Sequence, residues 1–240
     1  RGEIDGAELE SLAAAHEIPS ELDRCVIYLH ARELTSEEMT DKLRPLLEEQ
    51  DMLTEVGRHS VALVKALSDP HDPDALRTLV SAYDAVFADA QIDSMIGVSE
   101  PRALLSELPD AFAEAREAIN VGGAYRTSDR VFLYSRLLLE RFLDTVSQPS
   151  ASNFASVIFN AQTSRLFNDE MIHTIEVFFE NHLNLSEAAR KLYIHRNTLV
   201  YRLEKVQRLT GFDLRQFDDA VTFKLMMLLS KNNGARKMRV

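Results

Sequence analysis

The side chains best equipped for chemistry cluster in residues 184–212, which read NLSEAARKLYIHRNTLVYRLEKVQRLTGF. Asn197, Tyr201 and Arg208 fall on one face of a helix turning about 100° per residue, while Arg196, Arg202 and Lys205 stand toward its flanks or its entry. An amide can pair bidentately with an adenine edge, a phenol can add a hydrogen bond or touch a thymine methyl, and cations grip phosphates. The pattern therefore predicts base contacts from Asn197 and Tyr201, and phosphate contacts from Arg196, Arg202, Lys205 and Arg208. The opposite face carries Leu199, Leu203 and Val206 at i, i+4 and i+7, an apolar stripe that must pack against something. Any amphipathic helical pair shares this division, so a protein-interaction module with no nucleic-acid role is the competing reading. Charge separates the two. Residues 171–240 hold 12 Lys and Arg against 7 Asp and Glu, a net of +5, whereas residues 1–170 hold 15 against 31, a net of −16. The overall charge of −11 thus hides a basic C-terminal third, the footprint of a small DNA-binding module.

Other chemistries find little support. His16, His30, His59, His71, His173, His182 and His195 are scattered, with no HExxH or Cys/His grouping for a metal. His173 and His182 would be separated by about 13 Å of axial rise on one helix. Cys25 sits in an apolar run and reads as a small buried hydrophobe. Gly122-Gly123 reads as a helix stop, and Glu48-Glu49-Gln50-Asp51 as a solvated acidic face. No nucleophile–base arrangement stands out, so no catalytic, cofactor or metal site is expected.

The elements that must position the candidate side chains follow from periodicity and caps. Asn184 can cap a first short helix, with Glu187 placed to reach back to the cap's own N–H. Ala188 and Ala189 are small enough to let a second helix cross closely, and Leu192 and Ile194 would close the turn. Upstream, Asn168–Asn181 is helical, residues 154–162 form a short apolar helix, and Ser147–Asn153 has the composition of a linker or a capping turn. The apolar end of residues 216–229 exceeds what one short helix normally buries; core packing inside the module accounts for part of it, and the remainder predicts a contact with a second copy of the chain. The first part of the chain alternates helix and strand. Strands are expected at 24–31, 52–56, 60–66, 94–99 and 130–134, and helices at 7–15, 36–49 with a boundary at Pro45, from Pro73, and at 103–119. The class is α+β: a mixed-sheet domain followed by an all-α domain. The reading divides the chain into an N-terminal linker and helix (1–19), the sheet domain (20–146), a linker helix (147–167), the helix-turn-helix domain (168–232) and a basic tail (233–240). No apolar run reaches the 18 or more residues of a membrane span and no signal peptide opens the chain, so a cytoplasmic protein is expected. The start at Arg1 suggests a fragment, with Arg1–Gly6 a linker remnant and another domain preceding it.

Leu192-Tyr193-Ile194-His195-Arg196-Asn197-Thr198-Leu199, then Tyr201-Arg202-Leu203 and Leu209-Thr210-Gly211, resembles the C-terminal helix-turn-helix domain of the PucR/CdaR family. These are bacterial transcriptional regulators of purine and sugar-diacid utilisation, among other pathways. The resemblance covers roughly residues 170–232. Tyr193 stands where many helix-turn-helix proteins place a turn glycine, in agreement with this family, which tolerates a larger residue there. The order of elements in the first domain resembles the GGDEF-like domain of CdaR-type regulators. The resemblance implies a regulator that binds double-stranded DNA as a homodimer and activates a catabolic operon. RNA polymerase and a small-molecule effector, sensed by an absent N-terminal domain, are its further implied partners.

True GGDEF domains are diguanylate cyclases, with their signature on the central hairpin. Here the hairpin reads Thr54-Glu55-Val56-Gly57-Arg58-His59-Ser60, with Arg58 and His59 where a metal-binding carboxylate belongs, and the first strand ends Tyr28-Leu29-His30-Ala31. Magnesium and triphosphate chemistry needs oxygen ligands, so the domain is expected to be degenerate and non-catalytic. A nucleotide-binding signalling role for it is the remaining alternative.

Overall fold

The first unit is built around one strand, β1 (Arg24–Ala31), whose residues Arg24–Ile27, Leu29 and Ala31 are buried. A strand hidden on both faces and hydrogen-bonded along both edges must lie at the centre of a sheet. The computed structural model describes residues 6–70, 72–126 and 129–235. Most of the N-terminal linker remnant (residues 1–5), His71 and the end of the basic tail (236–240) lie outside the described residues. Two compact units are present, residues 1–141 and 142–240.

In the first unit, β2 (Met52–Gly57) and β3 (Ser60–Ala66) form an antiparallel hairpin, β3 pairs antiparallel with β1, and β1 antiparallel with β4 (Ser94–Val98). A short β5 (Val131–Leu133) runs parallel to β4, giving the order β2-β3-β1-β4-β5. One face, with Cys25, Ile27, Leu29, Val61 and Leu63, packs against α2 (Ser36–Leu43) and α3 (Pro73–Asp89). The other, with Val26 and Ala62, packs against Ala111 and Ala115 of α4 (Leu108–Tyr125). Helix α1 (Gly6–Ala15) precedes the sheet and α5 (Leu138–Asp144) follows it. This is the α+β, mixed-sheet class expected. Helix α2 ends at Leu43 rather than running to residue 49, because Pro45 carries no N–H and the chain tightens into a 3-10 turn at Arg44–Leu46.

Two readings of this unit are corrected. Gly122 and Gly123 do not stop α4; the helix continues to Tyr125, and the Arg126 N–H closes on the Gly122 carbonyl. A Cβ on Gly122 would lie 2.1 Å from the Phe132 ring of β5, so this glycine is there to admit an aromatic ring. Nor does the solvated face take in the whole 48–51 run: Glu48, Glu49 and Gln50 are exposed, but Asp51 turns inward. The Asp51 side chain is fully buried, and its Oδ2 accepts a 2.9 Å hydrogen bond from Lys65 Nζ, while Glu48 accepts another at 2.7 Å. Asp51 Oδ1 also accepts the Ala66 N–H at 3.2 Å. Burial opposes the charge on Lys65, but the two carboxylate hydrogen bonds outweigh it and hold its pKa above the ordinary lysine value. Cys25, opposite Lys65 in the β1–β3 register, is buried, and burial pushes its thiol up to about 12.

In the second unit, α6 (Gln148–Ser156) begins within the stretch read as a linker, with Ser147 at its N-cap and Pro149 in its first turn. Residues 157–162 are turns rather than helix, because side chains take over the backbone there. Asn160 Oδ1 accepts the Gln162 N–H at 2.9 Å, and Thr163 Oγ1 donates to the Ile158 carbonyl at 2.5 Å. Helices α7 (Asp169–Glu180), α8 (Leu185–Lys191), α9 (Arg196–Thr210) and α10 (Phe217–Ala235) complete the unit. Phe223, Met227 and Leu229 of α10 are buried, and Leu225, Met226 and Leu228 are half-buried, so the apolar end that suggested a second copy is largely used within the chain. Among the described residues, no helix is long and apolar enough to cross a membrane.

The buried ion pair yields a graded expectation. Asp51→Ala leaves Lys65 buried with one exposed partner and should cost about 3 kcal/mol in denaturant unfolding. Glu48→Ala removes the exposed partner and should cost about 1 kcal/mol or less. Equal costs would show that the buried carboxylate has no special role.

Candidate nucleic-acid interface

The site is set by how α8 and α9 cross. Asn184 caps α8, its Oδ1 accepting the Ser186 and Glu187 N–H groups at 3.0 and 3.2 Å. Glu187 does not reach back to the cap as expected. The Asn184 N–H already donates to the Asn181 carbonyl at 2.9 Å, and the Glu187 carboxylate pairs with Arg190 at 2.5 Å. Ala188 and Ala189 are buried, and Leu192 and Ile194 pack against the same core. His195 caps α9, with Nδ1 accepting the Asn197 N–H at 3.2 Å, a role the sequence reading did not assign. Gly211, in the left-handed conformation at φ 84°, ends the helix.

Leu199, Leu203 and Val206 are at most 1% exposed, packed in one core with Ile175, Phe178 and Phe223. The predicted stripe is therefore the buried back of α9. Asn197, Thr198, Tyr201, Lys205 and Arg208 are exposed, and Arg196 is exposed at the helix entry. The Arg208 guanidinium lies 5.8 Å from the Tyr201 ring centroid, a cation–π arrangement that joins a predicted base contact to a predicted phosphate contact.

Arg202 is placed differently from its neighbours. Its side chain is 22% exposed and turned to α7, where Nη1 donates to Thr174 Oγ1 at 2.8 Å and Nη2 to the Glu170 carboxylate. The residue expected on phosphate thus has its guanidinium engaged by α7. Helical spacing gave its angle on α9 but could not reveal that α7 stands on that side.

A cleft of about 290 Å³ opens between the α7 N-terminal end and this flank of α9. Arg165, Asn168, Thr198, Tyr201, Arg202 and Lys205 line it. Arg165 is an exposed cation on the segment before α7 that sequence reasoning missed, since it lies thirty or more residues from α9 and carries no periodic signal. Arg202 is balanced by Glu170, leaving Arg165 and Lys205 as the cations at the cleft with no ion pair recorded among the described residues.

The hairpin of the first unit is arranged for packing. The Ser36 N–H donates to the Arg58 carbonyl at 2.9 Å, Ser36 Oγ to Glu55 at 2.6 Å, and His59 Nδ1 lies 2.7 Å from the Leu34 carbonyl. His30 Nδ1 and the Tyr28 hydroxyl meet Ser60 Oγ at 2.9 and 3.0 Å. Burial, with the nearby Arg32 charge and His59, holds the His30 pKa below the ordinary value. Among the described residues no group of three or more His, Cys, Asp or Glu side chains is placed to hold a metal ion.

Two family models match this chain: a GGDEF-like domain over residues 1–121 and a PucR C-terminal helix-turn-helix domain over residues 171–229. The chain is 31% identical over 134 residues to the purine catabolism regulatory protein of Bacillus subtilis (strain 168), covering 55% of this chain and 25% of that protein. It is 26% identical over 141 residues to the proline-responsive transcriptional activator PutR of the same organism, covering 57% of this chain and 34% of that protein. It is 28% identical over 123 residues to the carbohydrate diacid regulator of Escherichia coli (strain K12), covering 50% and 31%. The matched part therefore spans a quarter to a third of these relatives.

The Arg202 contacts make a stability prediction. Arg202→Ala should cost about 1 kcal/mol, lowering the melting transition of the helical unit by roughly 4–8 °C in calorimetry. An unchanged transition would mean that the α7–α9 contact carries no weight.

Proposed function

The chain belongs to the GGDEF-like domain family and carries a PucR-type C-terminal helix-turn-helix, and from that premise we propose that it is a DNA-binding transcriptional regulator of a catabolic operon. The observation that carries this is the division of α9: an apolar back wholly buried, and an amide, a phenol and cations presented outward beside an open cleft. In the mechanism, α9 enters the major groove, Asn197 pairs with a base edge and Tyr201 adds a hydrogen bond or a thymine-methyl contact. Arg196 and Arg208 grip phosphates at the entry and far end of the helix. Lys205 and Arg165 grip the strand that lies along the cleft, while Arg202 acts as a positioning residue that fixes α9 on α7.

The name of one relative, the proline-responsive transcriptional activator PutR, supports an activator answering to a small metabolite. A second copy of the chain would present the second half-site, RNA polymerase would be the target of activation, and the setting is cytoplasmic. The domain division proposed is a degenerate, non-enzymatic GGDEF-like domain at 20–146, a linking helix at 147–167 and the DNA-binding domain at 168–232. A protein-interaction module without DNA is the second reading, and the exposed Asn197 and the net positive charge of residues 171–240 weigh against it.

Retention of sheared genomic DNA by the purified chain, followed by sequencing, tests the proposal. A few loci sharing a two-fold repeated motif support it, and no retention by folded protein overturns it. On a selected site, Asn197→Ala should lose about 1–3 kcal/mol and relax specificity at one position. Arg165→Ala and Lys205→Ala should weaken all sequences alike, each reducing the slope of log affinity against log salt by about 0.9. A slope unchanged in Arg165→Ala would remove the cleft from the interface.

A further inference from the structure

Tyr193 is the residue of the α8–α9 turn that internal packing leaves unused. Helix α8 closes with the Tyr193 N–H on the Arg190 carbonyl at 3.2 Å and the Ile194 N–H on the Ala189 carbonyl at 3.0 Å. That pair of bonds requires the residue after the cap to be left-handed, and Tyr193 has φ 55°. Ile194 turns into the core, while Tyr193 is 96% exposed. Glycine fills such a position without steric cost, whereas an L side chain there costs about 1–2 kcal/mol. The chain accepts this cost elsewhere with the exposed polar residues Glu17, Gln91 and His182, and with Leu183, which packs against the core. Among the described residues, Tyr193 is the one exposed large hydrophobic side chain in that conformation. The two closing hydrogen bonds and the turn of Ile194 into the core hold the backbone there, but among the described residues none of them uses the Tyr193 side chain.

Position suggests what does. Tyr193 precedes the α9 N-cap His195 by two residues and so lies just outside the helix that presents Asn197 and Tyr201. A helix entering the major groove brings its first residues to base edges, so the turn before it meets the sugar-phosphate wall. Tyrosine hydroxyls are among the neutral donors that position proteins on phosphates. Resting on the α9 reading above, we infer that Tyr193 is a DNA-backbone contact whose phenol O–H donates to a phosphate oxygen at the groove edge. Such a contact sets the register of α9 without reading sequence or displacing a counterion.

The test uses the 240-residue chain with Y193F and Y193G, a duplex that the wild type selects from a random pool, and a scrambled duplex of equal length. Y193G relieves the backbone, so its melting transition should be unchanged or higher while its Kd weakens about tenfold, the scale of one hydrogen bond to a charged acceptor. Y193F should keep wild-type stability and show a similar loss. Both losses should be equal on the two duplexes, with the salt slope unchanged. Wild-type affinity in Y193G, or in Y193F alone, overturns the hydroxyl–phosphate contact, and so does a loss confined to the selected duplex. If the wild type itself retains neither duplex, the DNA-binding reading falls as well, an outcome distinct from a wild type that binds and variants that match it.

Discussion

Leu199, Leu203 and Val206 of α9 are withdrawn from water, and that burial fixes the rotation of the helix about its axis. Burying each such side chain is worth about 1.5–3 kcal/mol, far more than any single polar contact on the opposite face. The orientation of Asn197, Tyr201 and Arg208 follows from it, because each stands two helical positions from the nearest residue of the stripe, on the opposite side of the helix. Ala188 and Ala189 contribute by being small, letting α8 and α9 cross closely. Phe223 of α10 joins the same core, within 6.5 Å of the rings of Phe159, Phe167, Phe179 and Phe212, so residues well before and well after the motif hold it in shape.

Charge is distributed with the same division. Arg190, Arg202, Arg215 and Lys231 are tied to carboxylates within the helical unit, whereas Arg165 and Lys205 at the cleft and Arg196 and Arg208 on α9 are exposed. A count of basic residues therefore overstates the number available to a polyanion, and position decides which of them matter. The sheet unit handles its charges differently: Lys65 is carried into the interior with Asp51, and Ser36, Glu55 and His59 tie the β2–β3 hairpin to the segment before α2. The hairpin that gives the wider fold family its chemistry is here bound to its own chain through Ser36 and the Leu34 carbonyl.

Much of this was legible from residue order. Strand β1 falls where a run rich in β-branched and aromatic residues places it, β3 where a hairpin turn with glycine does, and the apolar stripe and exposed face of α9 follow from a spacing of 3.6. Asn184 and Asn168 announce helix starts because a side-chain cap is a local bond between near neighbours. The misses share a different character. Gly122 was read by its usual local effect, yet its role is set by Phe132 on a strand ten residues later. Glu48 and Asp51 look like any solvated acidic run until β3 brings Lys65 against them.

What the sequence determined by itself was everything governed by neighbours along the chain: the α+β class, the order of elements, the helix-turn-helix and the face of α9 that would be apolar. Tertiary structure decided what depends on contacts between distant segments. It bound Arg202 to Glu170 and Thr174, brought Arg165 to the flank of α9, and placed Tyr193 almost wholly in solvent. Helical angle is a one-dimensional property and can be counted; which element stands beside a given angle is fixed only when the core closes.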